Sequence, residues 1–159
     1  MNPVKNRWRS LVVCLLIPLL VGALSALLTS KGMEAFGALR QPPLSPPAWL
    51  FPVVWTVLYV LMGLASWMVV LRRDRPGAKE ALAYYGAQLI FNFFWSILFF
   101  GAGLYLLAFF WLLALLLLIA VTAVKFGRIH PPAGWILAPY LVWVSFAGYL
   151  NLGVFLLNR

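Results

Sequence analysis

Five long stretches of the chain are almost free of polar side chains, and short polar connections separate them. They run over about residues 10–29, 49–71, 80–100, 104–125 and 134–157. A helix needs ~20 apolar residues to cross a bilayer, so each stretch predicts one crossing. In hydrocarbon every backbone N–H and C=O must be bonded within its own segment, which leaves the helix as the form these stretches take. The expected fold class is an all-α integral membrane protein, a single bundle of five transmembrane helices occupying residues 1–159.

The connections differ in character. Only Gly101, Ala102 and Gly103 separate the third and fourth stretches, which predicts a tight helical hairpin. The longest connection, residues 30–48, holds Pro42, Pro43, Pro46 and Pro47. Fixed φ angles and missing amide protons exclude a helix there and favour an extended, semi-rigid segment, either a lid over a membrane cavity or a simple external loop. No internal repeat is evident, so inverted-repeat transporter folds gain no support.

Composition narrows the picture. With 65% hydrophobic residues, 9% charged residues and a mean hydropathy of +0.98, the 159 residues leave no room for an appended soluble domain. A net charge of +9 would suit nucleic acid if it formed a water-accessible face, but here the basic residues punctuate apolar runs. They set orientation instead. Lys5, Arg7, Arg9, Arg72, Arg73, Arg75, Lys79, Lys125 and Arg128 fall on one side of an odd-numbered bundle, and Lys31, Arg40 and Arg159 on the other. This asymmetry predicts an amino terminus that is cytoplasmic, with the proline-rich loop and carboxyl terminus outside, and the membrane is expected to be a bacterial cell membrane. The basic start also resembles a signal peptide, with Gly22 to Ala26 imitating a cleavage region and Cys14 a lipidation site. The apolar run exceeds the ~7–15 residues of a signal core, and Val13 is bulky for a lipidation motif, so a retained span is expected.

The chemistry-bearing residues are few. Glu34, Asp74 and Glu80 are the only carboxylates, each in a connection or at the edge of an apolar run, so no intramembrane acid is present to couple protons or ions. One histidine, His130, and one cysteine, Cys14, build neither a zinc site nor bis-histidine haem ligation nor an intrachain disulfide. No catalytic triad or buried dyad is available, and no metal or cofactor is expected.

Polar and aromatic stripes remain. Gln88 and Asn92 lie four residues apart, on one helix face and roughly 6 Å apart along the axis, with Trp95 and Phe99 extending the stripe. They read either as interhelical glue or as an amide pair lining a cavity. Trp55 and Tyr59 repeat the spacing in the second stretch, and Tyr140, Trp143, Ala147 and Asn151 mark a similar face in the fifth. Trp49, Trp67 and Trp135 sit near span ends, where interfacial belts account for them. Trp55, Trp95, Trp111 and Trp143 lie deeper, where an indole N–H needs a partner and its flat face packs in the core or stacks on a planar ligand. Ala83 and Ala87 form a small-xxx-small step, either a homodimer contact or packing within the chain.

The run from Gln41 to Tyr59, with Pro42-Pro43 followed by Trp49-x-Phe51-Pro52-x-x-Trp55-Thr56-x-Leu58-Tyr59, resembles the tryptophan-rich sensory protein and translocator protein family (TspO/MBR). So do Gln88-Leu89-x-x-Asn92-x-x-Trp95-x-x-x-Phe99-Phe100 and Pro139-Tyr140-Leu141-Val142-Trp143 with Leu150-Asn151. The resemblance covers essentially the whole chain. It implies a five-helix bundle, often homodimeric, that binds porphyrins, sterols and benzodiazepine-type ligands beneath its first loop. By position, Trp55 and Trp143 match the tryptophans implicated in light-dependent porphyrin breakdown in some bacterial relatives. Tyr59, Gln88, Asn92, Phe99, Trp111 and Ala147 fall where the cavity lining is expected, and Phe36, Trp49, Trp95, Phe146 and Asn151 complete the candidate ligand set. The chain departs from the family at Ala35-Phe36, where Trp-Tyr is usual, and at Gln41-Pro42-Pro43-Leu44, where Lys-Pro-x-Trp is usual. No basic residue follows Tyr149 before Arg159, so the sterol pattern proposed for the fifth span is incomplete.

The leading functional expectation is a membrane-embedded binding or sensing protein for a planar hydrophobic molecule, with metal-free protoporphyrin as the first choice. Gln88 and Asn92 would orient its polar edges, and Lys31 and Arg40 would pair with propionates. Two alternatives stay open: a light- and oxygen-dependent porphyrin-degrading enzyme using Trp55 or Trp143, and a transporter of hydrophobic solutes.

Overall fold

The computed structural model describes residues 3–159, with side chains from Asn6 onward. Lys5, counted in the charge asymmetry, has its side chain outside the described residues. The helices are α1 (Pro3–Phe36), α2 (Leu50–Val70), α3 (Ala78–Ser96), α4 (Tyr105–Ile129), α5 (Pro131–Trp135) and α6 (Ala138–Leu157), with a π-helical turn, Ile97–Gly101, closing α3. No strand occurs among the described residues. Five segments are long and apolar enough to cross a membrane, the fifth being α5 and α6 taken together as Pro131–Leu157. The chain is thus an all-α, five-crossing membrane bundle.

Helix ends differ from those expected. The first helix continues to Phe36, seven residues past the point where apolarity fades, so the connection shrinks to residues 37–49. No proline lies between Ser30 and Phe36, and Ser30 bonds back to the Leu27 carbonyl at 3.2 Å. Apolarity marks where lipid ends, whereas a helix runs on while its backbone bonds can be made: α1 carries Pro18, Gly22 and Gly32 within it and stops only before Gly37. Lys31 therefore stands on a helix and not in the loop. For the same reason α4 extends past Lys125 to Ile129, and its successor starts at Pro131 and Pro132, whose missing N–H groups fall among the unbonded donors of a first turn.

The α3–α4 hairpin reverses through the π turn, where the Ala102 N–H donates to Ile97 O at 2.8 Å and the Leu104 N–H to Leu98 O at 3.0 Å. Packing places α1 against α2, α3 and the π turn, while α4 holds α3 on one side and α5 and α6 on the other. Met62, Leu115, Ile119, Val144 and Val154 fill the middle with no accessible surface. Val13, Leu20 and Leu27 on α1 face outward, as lipid requires.

The two ends of the bundle contrast in charge. At the end where α1 begins and α2 turns into α3, Arg72 and Arg75 donate to helix-terminal carbonyls, Met68 O at 2.8 Å and Ile129 O at 2.6 Å. Lys125 and Glu80 form the only ion pair among the described residues, at 2.7 Å. This basic end stands opposite the loop end, which carries the 37–49 connection and the carboxyl terminus.

Candidate functional site

The amides of α3 are fully paired with protein oxygen and sulfur. Tyr59 on α2 donates its hydroxyl to Asn92 Oδ1 at 2.9 Å, and Asn92 Nδ2 donates to the Tyr140 oxygen at 2.9 Å. Tyr140, on α6, donates in turn to Gln88 Oε1 at 2.8 Å, and Gln88 Nε2 points to the Met62 sulfur at 3.8 Å. This chain joins three helices and is buried throughout. In a low-dielectric interior an unpaired amide is expensive, so the network fixes which faces of α2, α3 and α6 meet. A second chain runs from the Trp95 N–H to Asn151 Oδ1 at 3.2 Å, and from Asn151 Nδ2 to Tyr105 O at 2.7 Å. Gln88, Asn92 and Asn151 are therefore each bonded across helices.

Two openings adjoin this polar centre. A small inner cavity of about 90 Å³ lies between α1, α2 and the end of α3, with Trp55, Tyr59 and Trp95 on its aromatic wall and Ser25 on its α1 wall. Gly22 lets it exist in this form, since a Cβ there would collide with the Tyr59 ring. The larger opening is a lateral groove of about 740 Å³ between α2 and α6, lined wholly by apolar surface from Val53, Val57 and Leu61 on one side and Val142, Trp143 and Phe146 on the other. Trp143 Nε1 is buried and has no hydrogen-bond partner among the described residues.

The two candidate redox tryptophans are thus divided between the openings. Trp55 borders the inner cavity, with its ring 6.1 Å from Trp95 and 5.6 Å from Tyr59. Trp143 borders the groove, and Phe51 stands edge-on to it at 5.9 Å while also reaching the inner cavity. Among the other candidates, Phe99 stacks on Trp95 at 5.4 Å, and Phe36 packs against Phe51, Phe99 and Phe100 at the loop end. Trp111 stacks on Phe91 at 4.4 Å and donates to the Phe91 carbonyl at 2.8 Å, away from both openings. Ala147 is buried in the core and Trp49 is exposed at the head of α2. Ser25 was not singled out from the sequence. Its signal was the small-residue register Gly22, Ser25, Ala26, Thr29 within a leucine-rich helix.

The proline-rich connection is strapped to α6. Pro42 rests on Gly153, where a Cβ would come within 2.6 Å of it, and Tyr149 donates its hydroxyl to Pro43 O at 2.8 Å. Asn158 pairs reciprocally with the Arg40 main chain, accepting from its N–H and donating to its carbonyl, both at 2.9 Å. The loop end is closed by contacts within the chain.

Fold and site together define a multi-pass membrane protein with an aromatic-walled interior and a lipid-facing groove. The TspO/MBR family model matches residues 14–157. The tryptophan-rich protein TspO of Chlorobaculum tepidum is 35% identical over 94% of this chain and 96% of its own length. The translocator protein of Bos taurus is 38% identical over 91% of this chain and 87% of its own. The tryptophan-rich sensory protein of Cereibacter sphaeroides is 38% identical over 80% and 79%. The chain belongs to the TspO/MBR family.

Proposed function

We propose that this protein binds a planar hydrophobic molecule, a metal-free tetrapyrrole such as protoporphyrin, in the groove between α2 and α6, within the sensing or translocating role that family membership supports. The carrying observation is the groove itself. Its 740 Å³ falls within the ~300–1,000 Å³ usual for ligand sites, whereas the 90 Å³ inner cavity is far smaller. Trp143 and Phe146 offer flat faces for stacking, and the Trp143 N–H is unpaired. With Gln88 and Asn92 engaged by tyrosines, this reading assigns orientation of the ligand to the indole rather than to the amides.

The groove position of Trp143 also supports the light- and oxygen-dependent degradation reading, because the indole is the oxidisable side chain nearest the bound ring there. The deciding experiment is protoporphyrin titration of the purified protein with and without oxygen, followed by illumination and product analysis. Binding without light-dependent loss selects a sensor or carrier. Absence of saturable binding, or binding unchanged when Val57→Trp fills the groove, sinks the site assignment.

We also infer that the basic end faces the cytoplasm. Cysteine labelling of Glu34→Cys and Arg73→Cys in a Cys14→Ala background tests this, and labelling of both from the same side overturns it.

A further inference from the structure

The arginines at the basic end are not equivalent. Arg72 and Arg75 are spent on the carbonyls of Met68 and Ile129, and Lys125 is spent on Glu80. Arg7, Arg9, Arg73 and Arg128 hold neither a carbonyl nor a carboxylate among the described residues. Arg128 borders an opening walled by α4 alone, without an aromatic ring. Arg7 differs, because it stands in a groove of about 230 Å³ between two helices, lined by Arg7, Trp8 and Leu11 of α1 and by Trp67 of α2.

Trp67 is built into this groove in a way that its place near a span end does not require. An indole in an interfacial belt turns its N–H to water and head groups. The Trp67 N–H donates instead to Ser10 Oγ at 3.2 Å, and that hydroxyl donates to Arg7 O at 2.8 Å. The two bonds tie the end of α2 to the start of α1 and leave the ring itself as a wall of the groove. Trp8, 64% exposed, lines the same space.

The groove is therefore cationic at one point, aromatic on its walls and apolar at Leu11. Its volume is the share of about eight waters, room for a phosphodiester and its adjoining carbons but not for acyl chains. One turn deeper, Leu15 and Leu64 are half-buried on the same two helices. The helices meet closely there, since a Cβ on Gly63 would lie 2.8 Å from the Leu15 Cα. The surroundings favour an anion: Asp74 and Glu80 are the only carboxylates at this end, Glu80 is already paired, and Arg9 and Arg73 add unpaired positive charge. A basic pocket between helices at a membrane surface is the form that lipid head-group sites take.

We propose that the α1–α2 groove at the basic end holds one anionic phospholipid, with Arg7 on its phosphodiester, Trp8 and Trp67 against its glycerol carbons, and its acyl chains along Leu15 and Leu64. The site shares no residue with the inner cavity or the α2–α6 groove and does not depend on the tetrapyrrole reading.

The test exposes the full chain in detergent to equimolar dioleoyl phosphatidylglycerol and dioleoyl phosphatidylcholine, and native mass spectrometry counts each lipid retained. The wild type should keep one phosphatidylglycerol several-fold in preference to phosphatidylcholine. Arg7→Gln should cut that retention about fivefold, the effect of one cation near an anionic head group. Leu11→Trp, which fills the groove and keeps every charge, should cut it equally. Arg9→Gln and Arg73→Gln remove the same charge from the same end outside the groove and should change nothing, and an excess of glycerol phosphate should not displace the lipid. Should Leu11→Trp unfold, the contrast between exposed Arg7 and exposed Arg9 decides the matter. Equal retention of the two lipids, an equal loss in Arg9→Gln or Arg73→Gln, undiminished retention in folded Leu11→Trp, or displacement by glycerol phosphate would overturn the proposal.

Discussion

Tyr140 and Asn92, 48 residues apart in sequence, meet at 2.9 Å in the middle of the bundle, and Tyr140 passes its own proton on to Gln88 at 2.8 Å. One phenol thus bridges the two amides of α3. Tyr140→Phe leaves an Asn92 donor and a Gln88 acceptor unpaired, whereas Tyr59→Phe strands only one Asn92 lone pair. Single hydrogen bonds within membranes contribute ~0.6 kcal/mol on average and up to about 1.7. Tyr140→Phe should therefore destabilise by roughly 2–3 kcal/mol, given those values and the added penalty of unpaired buried groups. Tyr59→Phe should lose about 1 kcal/mol on the same scale. Reversible denaturant unfolding in bicelles gives both numbers, and equal losses would show that the network is not organised around Tyr140.

The strap over the loop end predicts a change in local protection rather than in global stability. Gly153→Leu displaces Pro42, and Asn158→Ala removes both bonds to the Arg40 main chain. Each variant should be cut by trypsin after Arg40 several-fold faster while its melting temperature moves little, since local openings can lie far below the global free energy. Cleavage at the wild-type rate would mean that these contacts do not hold the loop.

Trp143→Phe keeps a stacking face in the groove and loses the indole N–H and its ease of oxidation. Protoporphyrin affinity should fall less than about tenfold, consistent with one hydrogen bond, while any light-driven loss of porphyrin stops. Trp55→Phe, on the inner cavity, should leave affinity unchanged. The pair of titrations separates the two tryptophans, and a larger effect at Trp55 would move the ligand out of the groove.

Homodimer formation through α3 is the remaining proposal. Ala83 is exposed, Ala87 is half-buried, and a side chain added at Gly86 between them would meet open space, so a second helix could approach this ridge closely. Ala83→Leu with Ala87→Leu should reduce the dimer fraction in bilayers, read by crosslinking or single-molecule counting, and leave protoporphyrin affinity within a few-fold. An intact dimer places the interface elsewhere. A collapse of binding along with the dimer would assign these alanines to support of the groove.

The five crossings were legible because lipid admits only a backbone that bonds itself, and ~20-residue apolar runs bounded by prolines and glycines state that requirement directly. The stripe of Gln88, Asn92 and Trp95 was visible for a related reason: a fixed helical period puts residues four apart on one face. What each stripe touches is a matter of which helices stand side by side, and local pattern carries no record of it. Asn92 meets tyrosines that α2 and α6 supply from 33 and 48 residues away. Trp55 and Trp143 open onto different spaces, and Phe51 touches Trp143 while also reaching the inner cavity. The end of α1 at Phe36 was hidden, since hydropathy reports solvent and not backbone geometry. Ser25 was hidden too: a hydroxyl's failure to bond its own helix is a side-chain rotamer, of which the local pattern carries no record.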